Sequence, residues 1–340
     1  MGQHRGLIAT AAALLAAFGG YYAWQSTSKE APPAINMEMG SKIGVYNPMS
    51  AVWAVDVNGN GVWDGVGIDR TSKFGSPGDI PVVGDWNGNG HKKIGVFNTA
   101  TATWLLDMNG NGIWDGLSVD KSVQWGSPQD VPVVGNWNGA GSQDKIGVFN
   151  PTTTAWVLDL NGNFTWDGEP GDRSIAWGTP GDIPVVGDWT GAGNLQKIGV
   201  FSPKTAAWTL DLAGDFHYER AKNTAITWGV PGNIPLIGDW SGSGTAKIGV
   251  YDSSKATFRL DVNGNLRWDS GVDKEVGWGS VGDRPVVGDW NSSGATKIGV
   301  FNPIQATWVL DINGNLLFEP GNDRTFRFGS PNDTPVVGHW

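Results

Sequence analysis

The chain has 340 residues, among them 52 Gly, 20 Trp and no Cys, and its formal net charge is −10. The lack of Cys excludes a disulfide scaffold, a thiolate metal site and a thiol nucleophile. The acidic balance argues against nucleic acid as a partner. Hydrophobic residues are 39% of the chain and aromatic residues 11%, enough for a large core. The Gly residues therefore punctuate an ordered fold and do not mark a low-complexity chain.

The N-terminal segment carries an apolar run, residues 7–24, of 18 residues without a charge. This length just suffices for a membrane-spanning helix. Two interpretations remain open. The aromatic residues that end the run suit a retained anchor, whereas a cleaved signal peptide needs small residues after its apolar core. We expect residues 1–24 to be the anchor or an uncleaved signal and residues 25–41 to be a polar linker. Because Arg5 precedes the run, the remainder is expected on the periplasmic side of a bacterial inner membrane, in a single-pass topology.

From residue 42 to residue 340 the sequence repeats itself. The phrase K-I-G-V-[YF] begins at six Lys residues, and a second phrase, P-[VL]-[VI]-G, also occurs six times. The Lys residues are Lys42, Lys93, Lys145, Lys197, Lys247 and Lys297. Units of about 50 residues built from short strands are typical of β-propellers.

Each unit is predicted to hold four strands, which in the second unit are residues 94–97, 103–107, 122–125 and 132–137. N-G, D-G and P-G pairs between them indicate tight turns. The chain begins its first unit at K-I-G-V and ends on a lone P-V-V-G strand. We therefore expect residues 335–340 to pair with residues 42–46 and close a six-bladed ring, which hides both sheet edges. The alternative, an open solenoid, would need capping units. The predicted fold class is all-β, a six-bladed β-propeller preceded by one transmembrane helix.

Nineteen of the 20 Trp residues occupy four positions of the repeat. The simplest interpretation is packing between blades, since a buried aromatic ring removes a large apolar area from water. The alternative is that some rings are platforms on which sugars stack. One of the four positions, the W-G position, holds Phe74, Trp125, Trp177, Trp228, Trp278 and Phe328. Another, the turn position, precedes a turn and holds Trp63, Trp114, Trp166, Tyr218, Trp268 and Phe318.

A loop of the type D-W-N-G-N-G, as at Asp85–Gly90, precedes most K-I-G-V phrases. This loop resembles the D-x-[DN]-x-D-G-x-x-D calcium loop of FG-GAP and VCBS repeats, whose members form β-propellers such as the integrin head. The resemblance covers residues 42–340 and implies a propeller. Here, however, the residue before the Ile is always Lys. We predict that Lys93 and its equivalents place an ammonium group where those families hold calcium, that they pair with Asp85 and its equivalents, and that these loops bind no metal. The loop that contains Asp144 departs most from this pattern.

A second acidic loop follows the Trp strand, and its first two copies carry oxygen ligands at EF-hand-like spacing with Gly at the sixth place. The residues concerned are Asp56, Asn58, Asn60 and Asp64 in the first copy, and Asp107, Asn109, Asn111 and Asp115 in the second. Weak calcium binding is one interpretation. The other is an ion-free hairpin turn held by Asx hydrogen bonds.

The sequence supports three classes of function to different degrees. An enzyme is the least supported, because catalysis needs an asymmetric set of functional side chains, whereas most acids here recur at the same place in several units. A membrane-anchored scaffold, acting as an accessory subunit that binds other protein subunits of a membrane complex, is the preferred hypothesis. Its expected contact is the most divergent loop, with His217, Tyr218, Arg220 and Lys222. The alternative is a carbohydrate-binding lectin or adhesin, which should show near-identical sites with free Trp faces.

Overall fold

The computed structural model describes residues 40–191, 193, 195–217 and 224–340. The predicted anchor, residues 1–24, and the linker up to residue 39 lie outside these ranges. Within them, the chain forms six four-stranded antiparallel sheets. No helix in the described part of the chain is long and apolar enough to cross a bilayer.

The sheets are the blades of a propeller, and the ring is closed as predicted. Blade one contains the last strand of the chain beside the first three, with the last strand innermost, and each later blade takes four consecutive strands. In blade one, Lys42 is opposite Gly338 and Tyr46 is opposite Thr334. The first strand of each blade contacts its counterparts in the adjacent blades, so these six strands surround the central axis.

The strands of blades one and two are β24 Thr334–Gly338, β1 Lys42–Asn47, β2 Val52–Val55, β3 Arg70–Lys73, β4 Ile80–Gly84, β5 Lys93–Asn98, β6 Thr103–Leu106 and β7 Lys121–Gln124. Those of blades three and four are β8 Val131–Gly135, β9 Lys145–Phe149, β10 Ala155–Asp159, β11 Asp172–Ala176, β12 Ile183–Gly187, β13 Lys197–Ser202, β14 Ala207–Leu210 and β15 Thr224–Thr227. Those of blades five and six are β16 Ile234–Gly238, β17 Lys247–Asp252, β18 Thr257–Leu260, β19 Lys274–Gly277, β20 Arg284–Gly288, β21 Lys297–Asn302, β22 Thr307–Leu310 and β23 Arg324–Arg327.

The predicted strands of the second unit differ from these by one or two residues at their ends. The largest difference is in β8, which ends at Gly135 and leaves Trp137 outside. The equivalent residue in blade two shows why. A Cβ atom on Gly84 would collide with the ring of Trp86. The chain therefore turns after the Gly, and the Trp folds back over the strand it follows.

The core consists of six layers between adjacent blades. In one of them, Phe97 and Trp104 of blade two pack with Ile146 and Val148 of blade three. Gly95 lies inside such a layer, and an added Cβ would stand 2.9 Å from Leu106. The Gly of each K-I-G-V phrase thus lets the second and third strands carry large side chains on both sides.

Candidate functional site

The loops at one end of the propeller, here called the linking loops, join the first and second strands in blades two to six. In blade one, residues 339–340 and 40–41 occupy the equivalent place. A ring of six backbone hydrogen bonds connects these segments, each from the residue before the K-I-G-V Lys to the neighbouring blade. Its donors and acceptors are Lys92 to His339, Asp144 to Asp85, Gln196 to Asn136, Ala246 to Asp188, Thr296 to Asp239 and Ser41 to Asp289, at 2.8–3.0 Å. This ring holds the five linking loops and the equivalent segments of blade one together around the axis.

The buried Lys of the linking loops makes the predicted ion pair in four blades. The Nζ–carboxylate distances are 3.1 Å for Lys93–Asp85, 4.0 Å for Lys197–Asp188, and 2.7 Å for both Lys247–Asp239 and Lys297–Asp289. Burial alone would raise the pKa of Asp239. Hydrogen bonds from Lys247, Ser243 and the Gly244 amide outweigh it and lower that pKa to about 2. The ammonium group and its carboxylate thus satisfy each other inside the loop.

Two blades depart from this pairing. In blade three, Lys145 donates to the amide oxygen of Asn136 at 2.6 Å, and burial lowers the pKa of this Lys. In blade one, Lys42 donates to the Val57 carbonyl at 2.6 Å. Asp144, which stood out in the sequence, turns to the adjacent blade, where it accepts from the Asp85 amide at 2.7 Å and from Lys92. It therefore joins two loops and does not close its own.

The second acidic loop, here called the N-G loop, joins the third and fourth strands of a blade. In blade one, Asp56 is buried and accepts from the amides of Gly59, Asn60 and Gly61 at 2.6–3.2 Å. Its burial raises its pKa to about 7. Asn58 and Asn60 donate side-chain amides to Asp64 at 2.7 and 2.5 Å.

The N-G loop of blade two repeats this network. Asp107 accepts from Gly110 and Gly112, and Asn109 and Asn111 both donate to Asp115. Across the described ranges, no group of three or more His, Asp or Glu side chains is arranged to hold one metal ion. The bonds correspond to the Asx-turn interpretation, and calcium binding at these two loops stays the untested alternative.

Grooves between adjacent blades form a third feature, located at the rim. The W-G aromatic residue ends one blade and is buried against the next: Trp125, Trp177 and Trp278 are 3–4% exposed and donate their indole N–H to the carbonyls of Val157, Thr209 and Val309. The aromatic residue of the turn position belongs to that next blade and covers the W-G residue.

Five such aromatic pairs lie within the described residues. Ring centroids are 5.7–6.4 Å apart in Trp63–Phe328, Trp114–Phe74, Trp166–Trp125, Trp268–Trp228 and Phe318–Trp278. Packing thus accounts for the W-G position, as expected. The turn position is different, because Trp114, Trp166, Trp268 and Phe318 are 41–51% exposed. The sequence did not distinguish these exposed rings from the buried ones.

The proposed partner loop lies only partly within the described residues. His217 is exposed, and its amide donates to Asp215 at 2.9 Å. Tyr218, Arg220 and Lys222 lie outside the described residues. Their assignment as a partner contact stays a prediction.

Comparisons with known proteins give the following. No protein-family model and no curated protein sequence matches the chain. Among solved structures, it is similar to an Agrocybe aegerita lectin that specifically recognises non-reducing terminal N-acetylglucosamine, with 14% identity, a TM-score of 0.47, and 82% of this chain and 75% of that chain covered. It is also similar to apo AztD from Citrobacter koseri, with 9% identity, a TM-score of 0.41, and 88% and 98% covered. Similarity this distant carries no argument about function, and the fold rests on the strand pairing itself.

Proposed function

We propose that the propeller is a multivalent carbohydrate-binding module and not an enzyme. The observation that carries this proposal is the half-exposed aromatic ring that recurs beside a groove between blades. A Trp ring fixed by a second aromatic residue beneath it offers a flat apolar face with polar groups around it, which suits the apolar face of a pyranose. In the groove between blades five and six, Trp278 and Phe318 are joined by the polar side chains of Asn302, Gln305 and Thr325.

The dimensions of the grooves support a ligand of this size. The groove between blades five and six has a volume of about 380 Å³, and that between blades three and four about 520 Å³. Small-molecule sites commonly span about 300–1,000 Å³. Repetition around the ring supplies the multivalency through which individually weak sites give strong overall binding to a polymeric glycan.

A glycan array tests the proposal with the full chain in a detergent that has no sugar headgroup. The variant Trp166→Ala/Phe318→Ala removes two half-exposed rings, at the junction of blades two and three and at that of blades five and six, and is expected to weaken glycan binding because fewer sites remain to act together. The matched control Met49→Ala/Ile304→Ala removes two side chains that are 81% and 77% exposed and line none of the described grooves. Glycan binding that is as strong in the first variant as in the unaltered chain, or no binding by the unaltered chain, would refute the proposal.

A membrane-anchored scaffold is the second candidate. It is supported by the apolar run at residues 7–24 and by the position of Ser41, which bonds to Asp289 at the linking-loop end of the propeller. An anchor before residue 40 would hold that end toward the membrane, in our proposal the bacterial inner membrane, with the propeller in the periplasm. The rim would stay accessible to other subunits of a complex. Membrane flotation of the full chain, compared with a chain that begins at residue 40, tests the anchor, and purification in mild detergent followed by mass spectrometry identifies bound subunits.

A further inference from the structure

One of the rim grooves differs from the others in its hydrogen bonding. In four blades, an Asp before the first strand accepts from an Asn side chain at the end of the second strand. These pairs are Asp79–Asn98, Asp130–Asn150, Asp283–Asn302 and Asp333–Asn47, at 2.6–2.7 Å. The second oxygen of each Asp accepts from a Ser amide three residues earlier, at 2.7–2.8 Å. Both carboxylate oxygens therefore have donors.

In blade four this arrangement is incomplete. Asp182 is 6% exposed, and its Oδ2 accepts from the Thr179 amide at 2.7 Å and from the Thr179 hydroxyl at 3.0 Å. The position of the partner Asn is held by Ser202. Within the described ranges, no group donates to Oδ1 of Asp182, although this carboxylate lines the groove between blades three and four. This oxygen is not among the buried atoms that lack a partner, so it is reachable from the groove, where a bound ligand can supply the donor that an Asn supplies in the other blades.

The same groove also has a larger volume than the groove between blades four and five and the groove between blades five and six. Ser202, Thr205 and Ala207 line it, where the groove between blades five and six has Asn302, Gln305 and Thr307. The volumes are about 520 and 380 Å³. Loss of side-chain atoms thus opens the space into which Oδ1 of Asp182 faces.

The groove between blades four and five shows the opposite modification. The order of the polar pair is reversed there, with Asn233 before the first strand and Asp252 at the end of the second. Arg259 and Glu275 form an ion pair at 2.8 Å, and the groove shrinks to about 60 Å³. Neighbouring junctions of the ring are therefore built differently, which a purely structural repeat does not require.

We propose that the groove between blades three and four is the principal sugar site of the propeller, and that Asp182 accepts a hydrogen bond from a hydroxyl or amino group of the bound sugar. This inference rests on the proposed carbohydrate-binding function. Thr179 and Thr205 add hydroxyl groups that can donate or accept. A bond to an ionised carboxylate is stronger than one between neutral groups. The site accordingly selects sugars that present a hydrogen-bond donor to Asp182 and rejects those with a methyl ether at that place.

Two substitutions test the role of Asp182. Ser202→Asn restores the pair found in four other blades, because the new Asn side chain can donate a hydrogen bond to Oδ1 of Asp182 in place of the ligand. Asp182→Asn keeps an acceptor for the Thr179 amide, as Asn233 does for the Val230 amide at 2.9 Å, but removes the charge. Asp333→Asn is the matched control, because Oδ1 of Asp333 already bonds to Asn47 and Asp333 lines none of the described grooves. The probes are the methyl glycosides of glucose, galactose, mannose and N-acetylglucosamine, followed by saturation-transfer NMR and titration calorimetry with the full chain.

Each of the two test variants is expected to weaken binding of the probe that binds best by about tenfold or more, whereas Asp333→Asn leaves it unchanged. Ser202→Asn should melt at the same temperature as the unaltered chain or higher, since it adds a hydrogen bond, so lost binding cannot be attributed to unfolding. Binding that is equal in all variants would overturn the role of Asp182 and leave the carbohydrate proposal standing. If the unaltered chain binds none of the four probes and no glycan on the array, both proposals fail.

Discussion

Replacing Lys247 by Met is a sharp test of the energetics of the linking loops. Lys247 is 4% exposed in its side chain and lies 2.7 Å from Asp239, whose side chain is 15% exposed. The pKa of Asp239 falls from 3.8 to about 2. At about 1.36 kcal/mol per pKa unit, this shift corresponds to about 2 kcal/mol. Met fills nearly the same space, but Ser243 and the Gly244 amide supply part of the shift and remain in the variant. The expected loss in the free energy of unfolding at neutral pH is therefore at most about 2 kcal/mol.

The chain contains its own control for this experiment. Lys145 is buried at the equivalent place in blade three, but its partner is the neutral Asn136. Lys145→Met therefore leaves no carboxylate buried without a cation in its loop. Lys145→Met removes one hydrogen bond to a neutral amide oxygen, and it also removes the cost of burying an ammonium group. The expected loss of stability is about 1 kcal/mol or less.

The pH dependence adds a second criterion. Because the folded-state pKa of Asp239 is lowered, its stabilising contribution is fully present above about pH 4 and is lost as the pH falls through about 2. Urea unfolding of both variants at neutral pH and near pH 2 measures this. The deficit of Lys247→Met should shrink at the lower pH, and adding Asp239→Asn should recover part of it at neutral pH. Equal losses for the two Lys variants, or a deficit that does not change with pH, would refute the reasoning.

Further predictions concern the core, the closure and the N-G loops. Trp308→Ala, at a fully buried ring, should lower the free energy of unfolding in urea by about 3–5 kcal/mol. Trp166→Ala, at a ring that is 50% exposed, should lower it by less than about 1 kcal/mol. Similar losses for the two variants would contradict the assignment of Trp308 to the core and of Trp166 to an exposed binding face. Val336→Asp puts a charge into the layer that joins blade one to blade two and should open the ring, detectable by small-angle scattering and proteolysis, whereas Thr334→Asp at the half-buried strand end should not. Millimolar calcium should leave the melting temperature of the full chain unchanged, because the N-G loops satisfy their own polar groups; a rise that disappears in Asp64→Asn would instead establish calcium binding.

Much of the fold could be predicted because the same strand and turn motifs occur in six successive units. The recurrence of K-I-G-V and P-V-V-G defined the number of blades, and the unpaired phrases at residues 42 and 335 predicted the closure that β1 and β24 make. The Lys–Asp pairs could also be predicted, since in three of the five loops the Lys before the Ile stands at the place where the loops they resemble keep an acid. Strand ends were less certain, because Trp86 and its equivalents have strand-like composition but fold back over the preceding Gly.

The site was harder to predict. Trp166 and Trp156 are equally regular in the repeat, yet one is half exposed and the other fully buried, and only the arrangement of neighbouring blades decides between them. For Asp182 a signal was present in the sequence, namely Ser202 in place of the Asn that follows K-I-G-V-[YF] in four units. Its meaning depended on a hydrogen bond across two strands, which no spacing within one phrase reveals.

The ring of bonds between the linking loops also bears on how the propeller would respond to tension. Ser41 bonds to blade six through its amide, at 2.8 Å from the Asp289 carbonyl, and its hydroxyl accepts from the Asp289 amide at 3.0 Å. Lys42, the next residue, begins a strand of blade one. A pull on the chain before Gly40 is therefore shared between two blades before β1 can peel from β24. A force applied through a tether at this point would therefore act first on the hydrogen bonds between linking loops and only then on the β1–β24 pairing that closes the ring.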